Sequence, residues 1–235
     1  MDGFTYHDIF ETKGLEYLAI IAFFLLLIPF WIILNRKVVS KKIKQIIGVL
    51  SANILKIPQG VFFCKNHTWA HLQRSGSATV GLDDLLLHIT GDIKFNNLKN
   101  PGEMIRKGDL LAEICQDGKV LSVFSPISGE ILTANSMLTG NPEISAEDPY
   151  GKGWLYKIKP SNWIAETSSY YLAEDATQWS KNEIERFKDF MATSGMKYGT
   201  NPSIAVLQDG GELCDHILSE MPKEIWQDFQ REFLN

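Results

Sequence analysis

The sequence predicts a mainly β domain, a compact sandwich or barrel of short strands with a short helix, preceded by one transmembrane helix and followed by a small, mostly helical extension. Three observations carry this. From Val61 onward, short runs rich in β-branched and aromatic residues follow one another at close spacing, separated by turn residues. Leu15 to Leu34 reads LEYLAIIAFFLLLIPFWIIL, an apolar run of the length that crosses a bilayer core. Beyond Trp163, aromatic residues recur at helical spacing. The segments implied are 1–14, an extracytoplasmic tail; 15–35, the transmembrane helix; 36–59, a basic amphipathic juxtamembrane helix; 60–164, the β domain; and 165–235, the helical extension.

The apolar run carries one charge, Glu16. Acids (Asp2, Asp8, Glu11) precede it and bulky Trp31 and Ile33 close it, which is not the pattern of a cleaved signal peptide, so an uncleaved anchor is expected. Arg36, Lys37, Lys41, Lys42 and Lys44 come directly after it. The positive-inside rule then predicts a single-pass protein of the cell inner membrane, N-terminus outside and C-terminal domain cytoplasmic, with the lipid bilayer as one partner. Pro29 is expected to do no more than kink the span. In Val38 to Ile57, the residues Ile43, Ile46, Ile47, Leu50 and Ile54 form an apolar stripe, suited to a helix on the membrane surface or on the β domain. Pro58-Gln59-Gly60 ends it.

The β runs are VFFC, TWAHL, SATVGL, DIKFNNL, LLAEI, KVLSVF, GEILTA and GWLYKIKP. Between the third and fourth, Leu82 to Ile89 is short, apolar and flanked by Gly81 and Gly91, and reads as a brief helix. Glu113 to Ser125 has the form of a hairpin turning on Asp117-Gly118. PGEMI at Pro101 to Ile105 is echoed by SGEIL at Ser128 to Leu132, which would suit two similar halves.

Few residue patterns point to chemistry. The net charge of −5, with no basic face interleaved with aromatics, gives no expectation of nucleic-acid binding. Cys64, Cys115 and Cys214 lack a CxxC spacing, and in a reducing compartment no disulfide framework is expected. His67 and His71 are four apart, but they sit in a strand-like run without a third ligand, so structural roles and no metal are expected. Cys115 reads as a small core cysteine rather than a redox thiol, and Asp83-Asp84 as a solvated or helix-capping pair.

Val61 to Trp163 resembles the H protein of the glycine cleavage system. The resemblance rests on Lys65-Asn66-His67-Thr68-Trp69, Ala78-Thr79-Val80-Gly81-Leu82, Gly91-Asp92-Ile93, Ser125-Pro126-Ile127-Ser128-Gly129-Glu130 and, above all, NPEISAEDPYGKGWLYKIKP at Asn141 to Pro160. It implies a barrel-sandwich hybrid (lipoyl-like) domain. It also implies that a lysine at the hairpin tip is amide-linked to lipoate, which carries aminomethyl groups and electrons between partner enzymes. Counted forward from Gly108-Asp109 or back from Ser125-Pro126, that lysine's place falls on Gly118, and the family's glutamate three residues earlier falls on Cys115. Lys119 comes one place late, and in a strand a one-residue slip turns a side chain to the other face.

In the extension, Ser180 to Met191 and Pro222 to Leu234 present Ile184, Phe187, Phe190 and Met191, then Ile225, Trp226, Phe229 and Phe233, on helical stripes. Ser203 to Leu207 between them is strand-like. The stripes suit a cover for the barrel or a partner's docking face.

The resulting expectation is a non-enzymatic, membrane-anchored H-protein-like subunit or scaffold of a membrane-associated complex of redox type, with no cofactor. The alternative is an atypical lipoyl carrier using Lys119. A membrane-fusion adaptor, the third reading, would hold its barrel outside the cytoplasm and add long helical hairpins that this sequence lacks.

Overall fold

The computed structural model describes residues 9–35, 49–199 and 213–235. It divides into two compact units, Met1–Ile46 and Ile47–Asn235. The first contains α1 (Ile9–Asn35), 27 residues including Pro29. Residues 20–31 of it are exposed throughout. Among the described residues no helix is long and apolar enough to cross a membrane. The expected single-pass placement at the inner membrane, with its transmembrane helix and outward N-terminus, is corrected on that finding.

The second unit opens with β1 (Val49–Leu50). The amphipathic helix expected over Val38 to Ile57 is therefore wrong at its C-terminal end, where the chain turns through 51–60 instead; its earlier part lies outside the described residues. Tertiary pairing overrides the helical spacing, because Leu50 is buried opposite a strand from the far end of the chain.

The barrel strands fall close to where the sequence puts them. They begin with β2 (Phe62–Phe63), β3 (Thr68–Leu72) and β4 (Ala78–Leu82). The brief helix α2 (Asp84–Thr90) comes next, capped by Asp83, whose Oδ1 accepts from the Leu86 amide at 2.8 Å. Both Asp83 and Asp84 are buried, so they are not a solvated pair. Then come β5 (Lys94–Asn97), β6 (Met104–Ile105), β7 (Leu110–Gln116), β8 (Lys119–Phe124) and β9 (Gly129–Ala134). Two single turns, α3 (Met137–Gly140) and α4 (Ile144–Glu147), precede β10 (Tyr156–Pro160).

Six strands pair in the order β2-β3-β4-β10-β9-β6, and three in the order β5-β7-β8. Aliphatic side chains from both sheets, among them Val80, Ile105, Ile114, Leu121, Ile131 and Ile158, make one continuous core. The two echoed segments pair with each other, Met104 opposite Glu130 and Ile105 opposite Gly129. A second core of Phe63, Trp69, Ala176 and Trp179 with Val61 joins the barrel to the C-terminal extension. Trp69 is fully buried beneath Gly81, and its indole Nε1 donates to the Leu82 carbonyl at 2.8 Å.

The extension comprises α5 (Trp163–Thr167), α6 (Glu174–Tyr198) and β11 (Leu213–Cys214), which pairs antiparallel with β1. A 3-10 turn (Ile217–Glu220), α7 (Lys223–Phe229) and a final π turn (Gln230–Leu234) end the chain. Pro222 stands at the N-cap of α7, where its missing N–H costs nothing. Phe187 and Phe190 of α6 interlock with Phe229 and Phe233, and Trp226 is buried, so the aromatic stripes cover the barrel. The strand expected at Ser203 to Leu207 lies outside the described residues.

Candidate functional site: the hairpin and the segment over it

Strands β7 and β8 pair from Leu110 opposite Phe124 to Gln116 opposite Lys119, leaving Asp117 and Gly118 as a two-residue loop. Their φ values, 48° and 79°, are both positive, the requirement of a type I′ turn. A Cβ on Gly118 would meet nothing within 4 Å, so backbone conformation and not crowding favours glycine there. The tip is exposed and bears no amine. At the base of the tip, the Gln116 amide donates to the carbonyls of Thr90 (3.1 Å) and Asp92 (2.8 Å), fixing the hairpin to the end of α2.

Lys119 does not project freely. Its Nζ donates to the carbonyls of Ser219 at 2.5 Å and Met221 at 3.2 Å, and lies 4.9 Å from the centre of the Trp226 ring. These carbonyls close the 3-10 turn, where the backbone has run out of helical donors, so the ammonium serves as a C-terminal cap. Burial holds the ammonium below the ordinary lysine value, with Asp117 and Glu220 pulling the other way. Further along β8, Gln230 treats Ser122 as a strand would. Its Oε1 accepts from the Ser122 amide at 2.7 Å, and its Nε2 donates to the Ser122 carbonyl at 3.3 Å. The open edge of the three-stranded sheet is thereby covered.

The other candidates separate clearly. His67 is fully buried at φ 58°, between the rings of Trp179 (5.4 Å) and Phe233 (6.0 Å). Its Nδ1 pairs with Asp83 Oδ2 at 2.8 Å, and its Nε2 lies 3.6 Å from Glu183 Oε2. Burial opposes the imidazolium, but Asp83 and then Glu183 outweigh it and raise the group to about 9. Glu183 also binds Arg186 at 3.0 Å, whose guanidinium covers Phe233. His88 repeats the device nearer the surface: despite the cost of burial, Asp215 at 2.7 Å and Asp84 at 3.6 Å raise it to about 9. His71 joins neither cluster. Among the described residues no group of His, Cys, Asp and Glu could hold a metal. Cys115 is partly buried on β7, its thiol pushed up by burial and by Glu113, the opposite of a reactive thiol. Sequence reasoning misses Glu183, Gln230 and Trp226 as partners of the hairpin and of His67. Only the Trp226 stripe gives any signal, and it gives no direction.

A family model for the glycine cleavage H-protein matches residues 61–183. The chain belongs to the glycine cleavage H-protein family. Similar proteins include a probable glycine cleavage system H protein of Pyrococcus abyssi, 35% identical over 127 residues, which are 54% of this chain and 94% of that one. A glycine cleavage system H protein of Chromobacterium violaceum is 40% identical over 107 residues, 45% of this chain and 83% of the other. The crystal structure of an H protein from Mycobacterium marinum superposes with a TM-score of 0.46 at 28% identity, covering 52% of this chain and 98% of that one. The H-protein match covers the barrel, α5 and the first part of α6; residues 213–235, which hold Lys119, lie beyond it.

Proposed function

We propose that this chain is a non-catalytic H-protein-type subunit that carries no lipoate in its resting form and acts through protein partners in a complex of redox or group-transfer type. The observation that carries the reading is the composition of the hairpin tip: a glycine occupies the position where the family attaches its cofactor, and the neighbouring amine is bonded to Ser219 and Met221. A swinging arm needs an amine that projects from the turn, and Gly118 supplies none. Intact-mass analysis of natively expressed protein is expected to return the unmodified chain; a lipoyl increment localised to Lys119 sinks the reading.

A second reading makes Lys119 an atypical lipoyl carrier, moving aminomethyl groups or electrons. It is favoured by one observation, that Lys119 comes directly after the tip and is only partly buried. On this reading Lys119→Arg abolishes both modification and activity.

A further inference from the structure

We propose that residues 213–235 form a gate over Lys119, so that an acyl group and the C-terminal segment compete for the same nitrogen. The inference rests on the second reading, in which Lys119 is the acceptor amine, and adds what controls it.

Three contacts define the closed gate. The Lys119 ammonium is shared between Ser219 O and Met221 O over the Trp226 ring. Gln230 closes the backbone edge at Ser122. Arg186 of α6 donates to the Glu232 carbonyl and holds the π turn from the other side. The barrel strands pair among themselves without residues 213–235, so the acceptor hairpin does not need this segment for its own hydrogen bonds.

Acyl transfer is incompatible with these contacts. The neutral amine must attack the carbonyl carbon of an activated acyl group, a thioester or an acyl adenylate. The N–C bond forms as the C–S or C–O bond breaks, and the leaving group departs with the electron pair. Of the three ammonium protons, one stays on the amide and two pass to the leaving group and solvent. The product has no charge and one N–H, so it cannot bridge two carbonyls or act as a cation over Trp226. The added acyl carbon must also occupy the space in which Ser219 and Met221 sit.

The test uses the full chain and an amine-acylating probe, N-hydroxysuccinimidyl acetate, with the rate at each lysine read by peptide mass spectrometry. Lys94, exposed on β5 at the other edge of the same sheet, is the reference. Lys119 is expected to acylate about tenfold more slowly than Lys94, because it reacts only from an opened state. Gln230→Ala removes both hydrogen bonds to Ser122 and one to Asn235 but no buried apolar group, and should narrow that gap about fivefold. In the converse arm, Lys119→Gln speeds amide exchange across 213–235 while Lys119→Arg does not, with barrel protection unchanged in both. Equal rates at Lys119 and Lys94, an unchanged ratio in Gln230→Ala, wild-type exchange in Lys119→Gln, or loss of barrel protection together with the segment would each overturn the gate. Native lipoylation is read separately as an intact-mass increment at Lys119, and the acylation ratios are measured on the unmodified chain, so failure of the lipoate-free reading and failure of the gate are distinguishable.

Discussion

Replacing His67 by phenylalanine keeps a ring between Trp179 and Phe233 while deleting a cation that faces both Asp83 and Glu183. The folded-state value of His67 is about 9 against 6.5 for the free side chain, which corresponds to about 3 kcal/mol of preference for the charged form in the folded protein. Because the folded value is the higher one, this contribution is complete below pH 6.5, shrinks as pH rises, and is lost on passing through about 9. Histidine already bears a Cβ at φ 58°, so phenylalanine adds no new backbone strain there. His67→Phe is therefore expected to lose about 3 kcal/mol at neutral-to-acid pH and little above pH ~10. Urea unfolding at several pH values, comparing the two proteins, measures the difference. His88 titrates in the same range, but it is present in both chains and cancels. A difference below about 1 kcal/mol near pH 6, or one that stays constant with pH, refutes the assignment of His67 as a buried cation.

Substitutions at glycine give three further expected outcomes. Gly118→Ala should destabilise by about 1 kcal/mol in urea, since its φ of 79° disfavours any Cβ although the space is open. Gly118→Lys restores an amine at the family's position and should gain a lipoyl increment, read by intact mass, when expressed with a lipoate-attaching enzyme. Failure to gain it would show that the hairpin is no longer an acceptor even with its lysine. Gly81→Ala drives a methyl to within 2.7 Å of the Trp69 ring, and the resulting overpacking should cost about 1–3 kcal/mol with a perturbed tryptophan fluorescence.

The barrel is legible in the sequence because its signals are local. Asp117-Gly118 selects a type I′ turn by itself, the alternation in KVLSVF and GEILTA sets which face is buried, and Asp83 caps the helix that begins one residue later. The features that escape sequence reasoning depend on partners far away along the chain. The helical stripe through Leu50 gives way to a pairing with Leu213 that no local pattern announces. Asp83 reads as a cap, which it is, but its second oxygen serves His67, whose other nitrogen faces a glutamate on α6. Lys119 has the sequence context of a solvated lysine beside a turn, because the two carbonyls that bind it belong to the backbone, and backbone acceptors leave no mark on composition. The membrane placement of α1 rests on the apolar run and the basic cluster after it, and the described residues do not support it.

Lys119 and the Ser219 carbonyl that binds it are 100 residues apart. A ribosome adding about 5–20 residues per second leaves an interval of roughly 5–20 seconds between the two. All ten strands up to β10 are synthesised before β11 exists, so the nascent barrel can fold with the β7–β8 hairpin uncovered. Whatever meets that hairpin first, an enzyme or the chain's own last turn, does so during synthesis. The order of translation therefore exposes Lys119 before the carbonyls that bind it exist.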